Sequence, residues 1–120
     1  MAYLIELPTF RDKRGKLTVI ENILPFEIKR VYYIYDVKSQ RGGHRHKKTI
    51  QALIALGGKC EVYVNNGKEE KIFLLDSPNK CLVLEPEDWH TMDNFDKNTF
   101  LLVFASEYYD KHDYIYKEYE

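Results

Sequence analysis

Arg41-Gly42-Gly43-His44-Arg45-His46-Lys47, followed by Gln51 and then by Gly57-Gly58, is the stretch on which the reading of this chain turns. Side chains along a β-strand alternate faces with period two, so His44 and His46 point the same way and Arg45 points the other. Two imidazoles side by side on one face of an extended segment suit metal binding or proton transfer. The run from His44 to Leu56 is β-prone throughout and is expected to form one long strand closed by Gly57-Gly58. Gln51, Leu53 and Ala55 have the opposite parity to the histidines. If all of them face the interior, a β-bulge between Lys47 and Ile50 must switch the parity.

Outward from that strand, the chain breaks into short β-prone runs separated by turn signals. Leu4 to Leu7, Lys16 to Glu21, Ile28 to Asp36, Lys59 to Asn65, Lys71 to Leu75, Cys81 to Glu85 and Thr99 to Ser106 all read as strands. Arg11 to Gly15 and Ser39 to Gly43 read as turn and loop. Asn65-Asn66-Gly67 tolerates positive φ and joins two of the strands as a hairpin. Only Asp110-Lys111-His112-Asp113-Tyr114 carries helix-cap chemistry, enough for one turn. Many short strands at this spacing predict an all-β sandwich or barrel.

Composition narrows the functional classes. The 120 residues make one domain, residues 1–120, with one substantial core. A net charge of −1 with both signs interleaved leaves no basic stripe for nucleic acid. No apolar run approaches the roughly 18 residues of a membrane helix, and the opening residues lack signal-peptide architecture, so a cytoplasmic protein is expected. Cys60 and Cys81 have neither CxxC spacing nor a secretory context and read as reduced thiols in or near the core. Ten tyrosines stand out, with Tyr32-Tyr33-Ile34-Tyr35 and Tyr108-Tyr109 as clusters. Tyr33 and Tyr35 point opposite to Tyr32, which makes them packing or interface residues. His112 lies in a polar tail and is expected to be solvated.

A third histidine, His90, follows the single tryptophan, Trp89, which is expected in the barrel wall. From the residues alone, His44, His46, Gln51 and His90 could bind a metal or work as a metal-free acid–base set. Imidazoles suit zinc, iron, copper or nickel, although a glutamine in place of a carboxylate lowers the negative charge such a site prefers. A barrel that merely binds a sugar nucleotide is the non-catalytic alternative.

The order His-x-His, a polar residue five positions on, a glycine turn and then a third histidine is similar to the two-part cupin motif. His90 and Asn94 also match its His-x-x-x-Asn half. A narrower likeness covers nearly the whole chain. Pro25 to Ile34, Arg41 to Lys47, Trp89-His90-Thr91-Met92, and Ala105 to Asp110 with Asp113-Tyr114-Ile115 resemble the sugar nucleotide 3,4-ketoisomerases, which act on dTDP-4-keto-6-deoxyglucose. Arg45 departs from that pattern, which carries a small residue between the two histidines.

The resemblance implies a cupin-like jelly-roll barrel, a homodimer exchanging N-terminal strands, no metal or other cofactor, and a dTDP-linked keto-deoxysugar as substrate. It places the general base on His46, proton delivery or orientation on His44, and a proton-carrying phenol on Tyr32. Histidine, with a pKa of about 6.5, suits removal of a proton beside a ketone at cellular pH. Arg41 is placed to meet the diphosphate with its planar donor fork. Gln51 is a candidate to hold a sugar hydroxyl. Arg14 before the early glycine and His90 after the tryptophan resemble the members that yield the 3-keto-6-deoxygalactose product.

Overall fold

Alternation of apolar and polar side chains sets the architecture. The computed structural model describes residues 1–120 and contains twelve strands: β1 (Tyr3–Glu6), β2 (Thr9–Asp12), β3 (Gly15–Thr18), β4 (Arg30–Ile34), β5 (Arg41–His46), β6 (Gln51–Leu56), β7 (Cys60–Asn65), β8 (Glu70–Leu75), β9 (Lys80–Leu84), β10 (Trp89–Asp93), β11 (Phe100–Ala105) and β12 (Tyr114–Ile115). One 3-10 turn, Lys111–Asp113, is the only helical piece; Asp110 caps it by accepting from the His112 N–H at 2.9 Å. No helix is long and apolar enough to cross a membrane.

Ten strands form two five-stranded antiparallel sheets, ordered β1-β9-β6-β11-β4 and β12-β5-β10-β7-β8. The main core lies between them. Leu53, Leu82, Leu84, Leu101 and Val103 come from the first sheet, and Val62, Val64, Phe73, Leu75 and Met92 from the second. This is the jelly-roll sandwich that the resemblance implies. A second cluster lies on the other face of the first sheet, where Ala52, Ile54 and Cys81 meet Leu7, Ile20, Ile23, Leu24 and Phe26. Strand β6 is therefore buried on both faces from Gln51 to Ala55. That explains its unbroken apolar run, and each large aliphatic side chain so buried contributes about 1.5–3 kcal/mol of transfer free energy. Cys60 and Cys81 are free and buried, as the sequence indicated.

Three expectations need correction. His44 to Leu56 is not one strand: β5 ends at His46 and β6 begins at Gln51, in different sheets. Residues 47–50 cross between the sheets, so no bulge is needed there to turn Gln51 inward. Hydrogen bonds fix the crossing: Lys47 N–H to the Asp113 carbonyl at 2.8 Å, and Ile50 N–H to the Ser106 hydroxyl at 2.8 Å. The irregularity lies instead at Gly43, where His44 pairs with His90 but Gly42 with Thr91. Gly42 and Gly43 both have φ near +86°, and a Cβ on Gly42 would meet the His90 carbonyl oxygen at 2.8 Å. Only glycine fits that crossing, so Arg41–Gly43 is the start of a strand and not a loop.

Strands β2 and β3 pair only with each other. The hairpin leaves Phe10 63% and Leu17 60% exposed. A lone two-stranded ribbon with solvated apolar side chains is marginal in water.

Candidate active site

The histidines gather where β5 and β10 run side by side. The ring of His44 lies 5.1 Å from that of His46 and 4.9 Å from that of His90, edge to face in both cases. Tyr114 covers the pair, 4.7 Å from each. Across the sandwich, β4 and β6 present Tyr32 and Gln51, whose amide donates to the phenol oxygen at 2.9 Å. A cavity of about 600 Å³ opens between these walls, lined by Arg30, Tyr32, Arg41, His44, Tyr109, Tyr114 and Tyr116 among others. That volume suits a small organic ligand, and its lining mixes rings with a few cationic and hydrogen-bonding groups. His46, Gln51 and His90 are buried behind the lining.

Only one of the three imidazoles is paired with a carboxylate. His46 Nδ1 lies 2.9 Å from Asp113 Oδ2. Asp113 is itself fixed by the Thr49 hydroxyl and by the Lys48 N–H at 2.9 Å. Burial would raise the Asp113 pKa, but hydrogen bonds from Thr49, Lys48 and His46 outweigh it and hold the carboxyl below its ordinary value. A carboxylate on Nδ1 keeps the proton there, so His46 Nε2 is the acceptor; it is buried without a partner. Burial pushes the His46 pKa down while Asp113 pulls it up, and the net direction is downward. His46 is therefore neutral near pH 7, as a base must be, with a carboxylate ready to stabilise the imidazolium.

The other two histidines differ. Burial and the neighbouring His46 lower His44 to about 4. Complete burial and His44 lower His90 to about 3, and its Nδ1 is engaged by the Asp88 carbonyl oxygen at 2.9 Å. Burial raises the Tyr32 phenol above its usual value, so it is protonated near pH 7 and has an O–H available to donate. No group of three or more His, Cys, Asp or Glu side chains is arranged to hold a metal ion.

Of the residues expected from the sequence, His44, His46, His90, Tyr32, Gln51 and Arg41 come together at this end of the sandwich. Arg14 does not. It sits in the β2–β3 turn with its side chain 90% exposed, paired with Asp12 at 2.5 Å. Arg45 points away from the cavity, its guanidinium 4.7 Å above the Tyr119 ring. Trp89 is 9% exposed in the wall and donates from Nε1 to the Tyr116 carbonyl at 3.0 Å. Tyr33 and Tyr35 face outward, and Tyr35 stacks on Phe100. His112 is exposed.

Asp113, Thr49, Arg30, Tyr109 and Tyr114 have no part in the sequence-based site. Asp113 is 67 residues from His46 in the chain. Its neighbours read as a helix cap, and only the pairing of β12 with β5 carries it to the histidines.

The family model described as FdtA: WxcM-like, C-terminal matches residues 1–120. The TDP-4-oxo-6-deoxy-alpha-D-glucose-3,4-oxoisomerase of Aneurinibacillus thermoaerophilus is 45% identical over 108 residues, 87% of this chain and 78% of that protein. Among solved structures, the QdtA 3,4-ketoisomerase of Thermoanaerobacterium thermosaccharolyticum with TDP has a TM-score of 0.92 and 45% identity, covering 97% of this chain and 88% of that one. A double mutant of that enzyme with TDP, tyrosine to arginine and arginine to histidine, also superposes with a TM-score of 0.92, at 47% identity over 97% of this chain and 87% of that one. A histidine-to-asparagine mutant of it, in complex with TDP-4-keto-6-deoxyglucose, has a TM-score of 0.92 and 44% identity over the same shares of the two chains.

Proposed function

The chain belongs to the FdtA (WxcM-like, C-terminal) family of sugar 3,4-ketoisomerases, and we propose that it converts dTDP-4-keto-6-deoxyglucose into dTDP-3-keto-6-deoxygalactose. The single observation that carries the mechanism is the His46–Asp113 pair with His46 Nε2 unpartnered.

His46 Nε2 takes the proton from C3, which the C4 carbonyl acidifies. The C–H pair becomes the C3–C4 double bond, and the carbonyl pair moves onto O4. Tyr32, a protonated phenol held by Gln51, gives O4 a proton, and the C3 hydroxyl returns one as O3 becomes the new carbonyl. The double-bond electrons then take a proton at C4, closing the balance. His44 orients the sugar and relays protons, and Arg41 at the mouth meets the diphosphate.

Stereochemistry favours the galacto product. In the gluco-configured substrate the C3 hydrogen lies on one face of the ring. Adding a proton to C4 on that same face gives galacto, and adding it on the opposite face gives gluco. The three histidines all stand on the β5–β10 wall, so abstraction and return by His46 serve one face. Identity to the Thermoanaerobacterium enzyme supports the residue pattern. It rises from 45% to 47% when arginine and histidine are introduced, and falls to 44% when a histidine is lost. Those steps are the ones expected of a chain that carries arginine and histidine at the first two positions and histidine at the third.

The same reading makes the functional unit a homodimer, each 120-residue chain serving as one domain and working in the cytoplasm on a nucleotide sugar. The free-standing β2–β3 hairpin has exposed Phe10 and Leu17, and β4 is an open edge of its sheet beside the cavity. A hairpin docked on the β4 edge of a second copy would pair that edge and bring Arg14 toward the other chain's sugar. The test of function is an NMR time course with dTDP-4-keto-6-deoxyglucose. A 3-keto product with a small H4–H5 coupling is expected; an unchanged sugar would refute the reading, and a large diaxial coupling would refute the galacto assignment.

A further inference from the structure

We propose that Arg30 stabilises the negative charge of the enediolate, a role that rests on the ketoisomerase reading and adds a residue to it. Arg30 opens β4, two positions before Tyr32, so both side chains project toward the cavity. Its guanidinium lies 4.8 Å from the centre of the Tyr32 ring and 5.5 Å from that of Tyr109. Its Nε is buried without a hydrogen-bond partner, and it takes part in none of the ion pairs of the structure.

A cation held by two rings with a buried donor unsatisfied is costly unless something anionic arrives. Two anions enter this cavity on the ketoisomerase reading: the diphosphate, and the oxygen that gains charge when C3 loses its proton. Arg30 lies against Tyr32, the group proposed to give O4 its proton. Its charge lowers the pKa of both Tyr32 and His46, and it acts on Tyr32 more strongly than Arg41 does. Arg41 is exposed at the mouth, where a diphosphate would lie. A fixed guanidinium near the developing oxyanion, in a partly dry cavity, acts mainly on the transition state and little on substrate binding.

The division of labour predicts a separation in the kinetics. Arg30→Gln in the full-length protein should lower kcat by about 10²–10³-fold, the usual cost of losing one oxyanion donor. The KM for dTDP-4-keto-6-deoxyglucose and the affinity for TDP should stay within about twofold, since neither depends on the transition-state charge. The acid limb of the kcat/KM profile should move to higher pH, because the cation that depresses His46 is gone. Arg30→Lys keeps a charge at the site and should recover part of kcat, which separates a charge role from loss of packing. A kcat unchanged in Arg30→Gln, with the unmodified protein active, overturns this inference alone. So does weakened TDP binding with kcat retained, which would make Arg30 a diphosphate ligand. An equal loss of kcat in both variants with no movement of the pH limb also overturns it. Failure of the unmodified protein to change the sugar overturns the ketoisomerase reading, and this inference with it.

Discussion

Asp113 and His46 are 67 residues apart in the chain and 2.9 Å apart in space. The tail that brings Asp113 there pairs as β12 along β5, the strand that carries both histidines. A late segment of the chain thus supplies the carboxylate beside the proposed base, and that carboxylate is held by two further hydrogen bonds from the crossing residues Lys48 and Thr49. Asp113→Asn keeps the shape and removes the charge. It should lower kcat by about 10²–10⁴-fold, because the amide neither stabilises the imidazolium nor holds the productive tautomer. The acid limb of kcat/KM should shift to lower pH, since Asp113 is what raises the His46 pKa. A pH–rate profile identical to that of the unmodified protein would remove Asp113 from the mechanism.

Light scattering at micromolar concentration should give twice the 14.3 kDa chain mass. Phe10→Asp with Leu17→Asp places charges where the hairpin would meet a second copy, and should yield a 14.3 kDa species with much lower turnover. A monomeric, fully active unmodified protein would rule out the exchanged hairpin.

Joint replacement Arg14→Tyr and His90→Arg should change the C4 configuration of the product more than the rate. The enediol is planar at C4, so the face it turns to the returning proton sets the configuration, and a bias of about 1.4 kcal/mol between two orientations of the enediol already gives tenfold selectivity. The H4–H5 coupling of the product reads the outcome directly. An unaltered coupling in the double variant would remove these two residues from stereocontrol.

Stability should fall on the acid side. His44 and His90 have folded pKa values of about 4 and about 3, below the ordinary histidine value. Between the folded and unfolded values the unfolded chain binds more protons, so their contribution is complete above about pH 6.5 and is lost as pH falls toward 3–4. Each proton gives a slope of up to about 1.4 kcal/mol per pH unit, with fully buried His90 carrying the larger share. Thermal melting from pH 8 to 4 should show a plateau, then a decline below about pH 6.5 that His90→Gln makes shallower. An equally steep decline in that variant would assign the acid sensitivity elsewhere.

Much of this fold is legible in period-two patterning. The β7–β8 hairpin forms across Asn65-Asn66-Gly67, with Gly67 at φ +89°, because the turn residues and the flanking alternation agree. The histidine pair is legible for the same reason, whereas Tyr32 enters the site only through the family resemblance. Patterning could not separate β5 from β6. A strand buried on both faces and a strand lining a site are both apolar or functional throughout, and the crossing at 47–50 is fixed by hydrogen bonds to Asp113 and Ser106, far along the chain. Thr9–Asp12 is a strand whose second half, Arg11-Asp12, reads as turn, since its alternation is broken by charges and its partner is only β3. Asp113 and Arg30 lie inside segments that carry the family resemblance, yet neither gains a role in the site from the sequence. A lone carboxylate in a polar tail and a lone arginine before a tyrosine run have no local signature, and only tertiary pairing gives them partners.

Turnover and TDP binding by the unmodified protein and by His46→Asn, measured side by side, test the central claim most directly. The unmodified protein should convert dTDP-4-keto-6-deoxyglucose to the 3-keto sugar. His46→Asn should bind TDP with the same affinity and turn over slower by about 10²–10⁴-fold or more, since an amide cannot take the C3 proton near neutral pH. Near-normal turnover by His46→Asn, or an unmodified protein that leaves the sugar unchanged, would contradict the account.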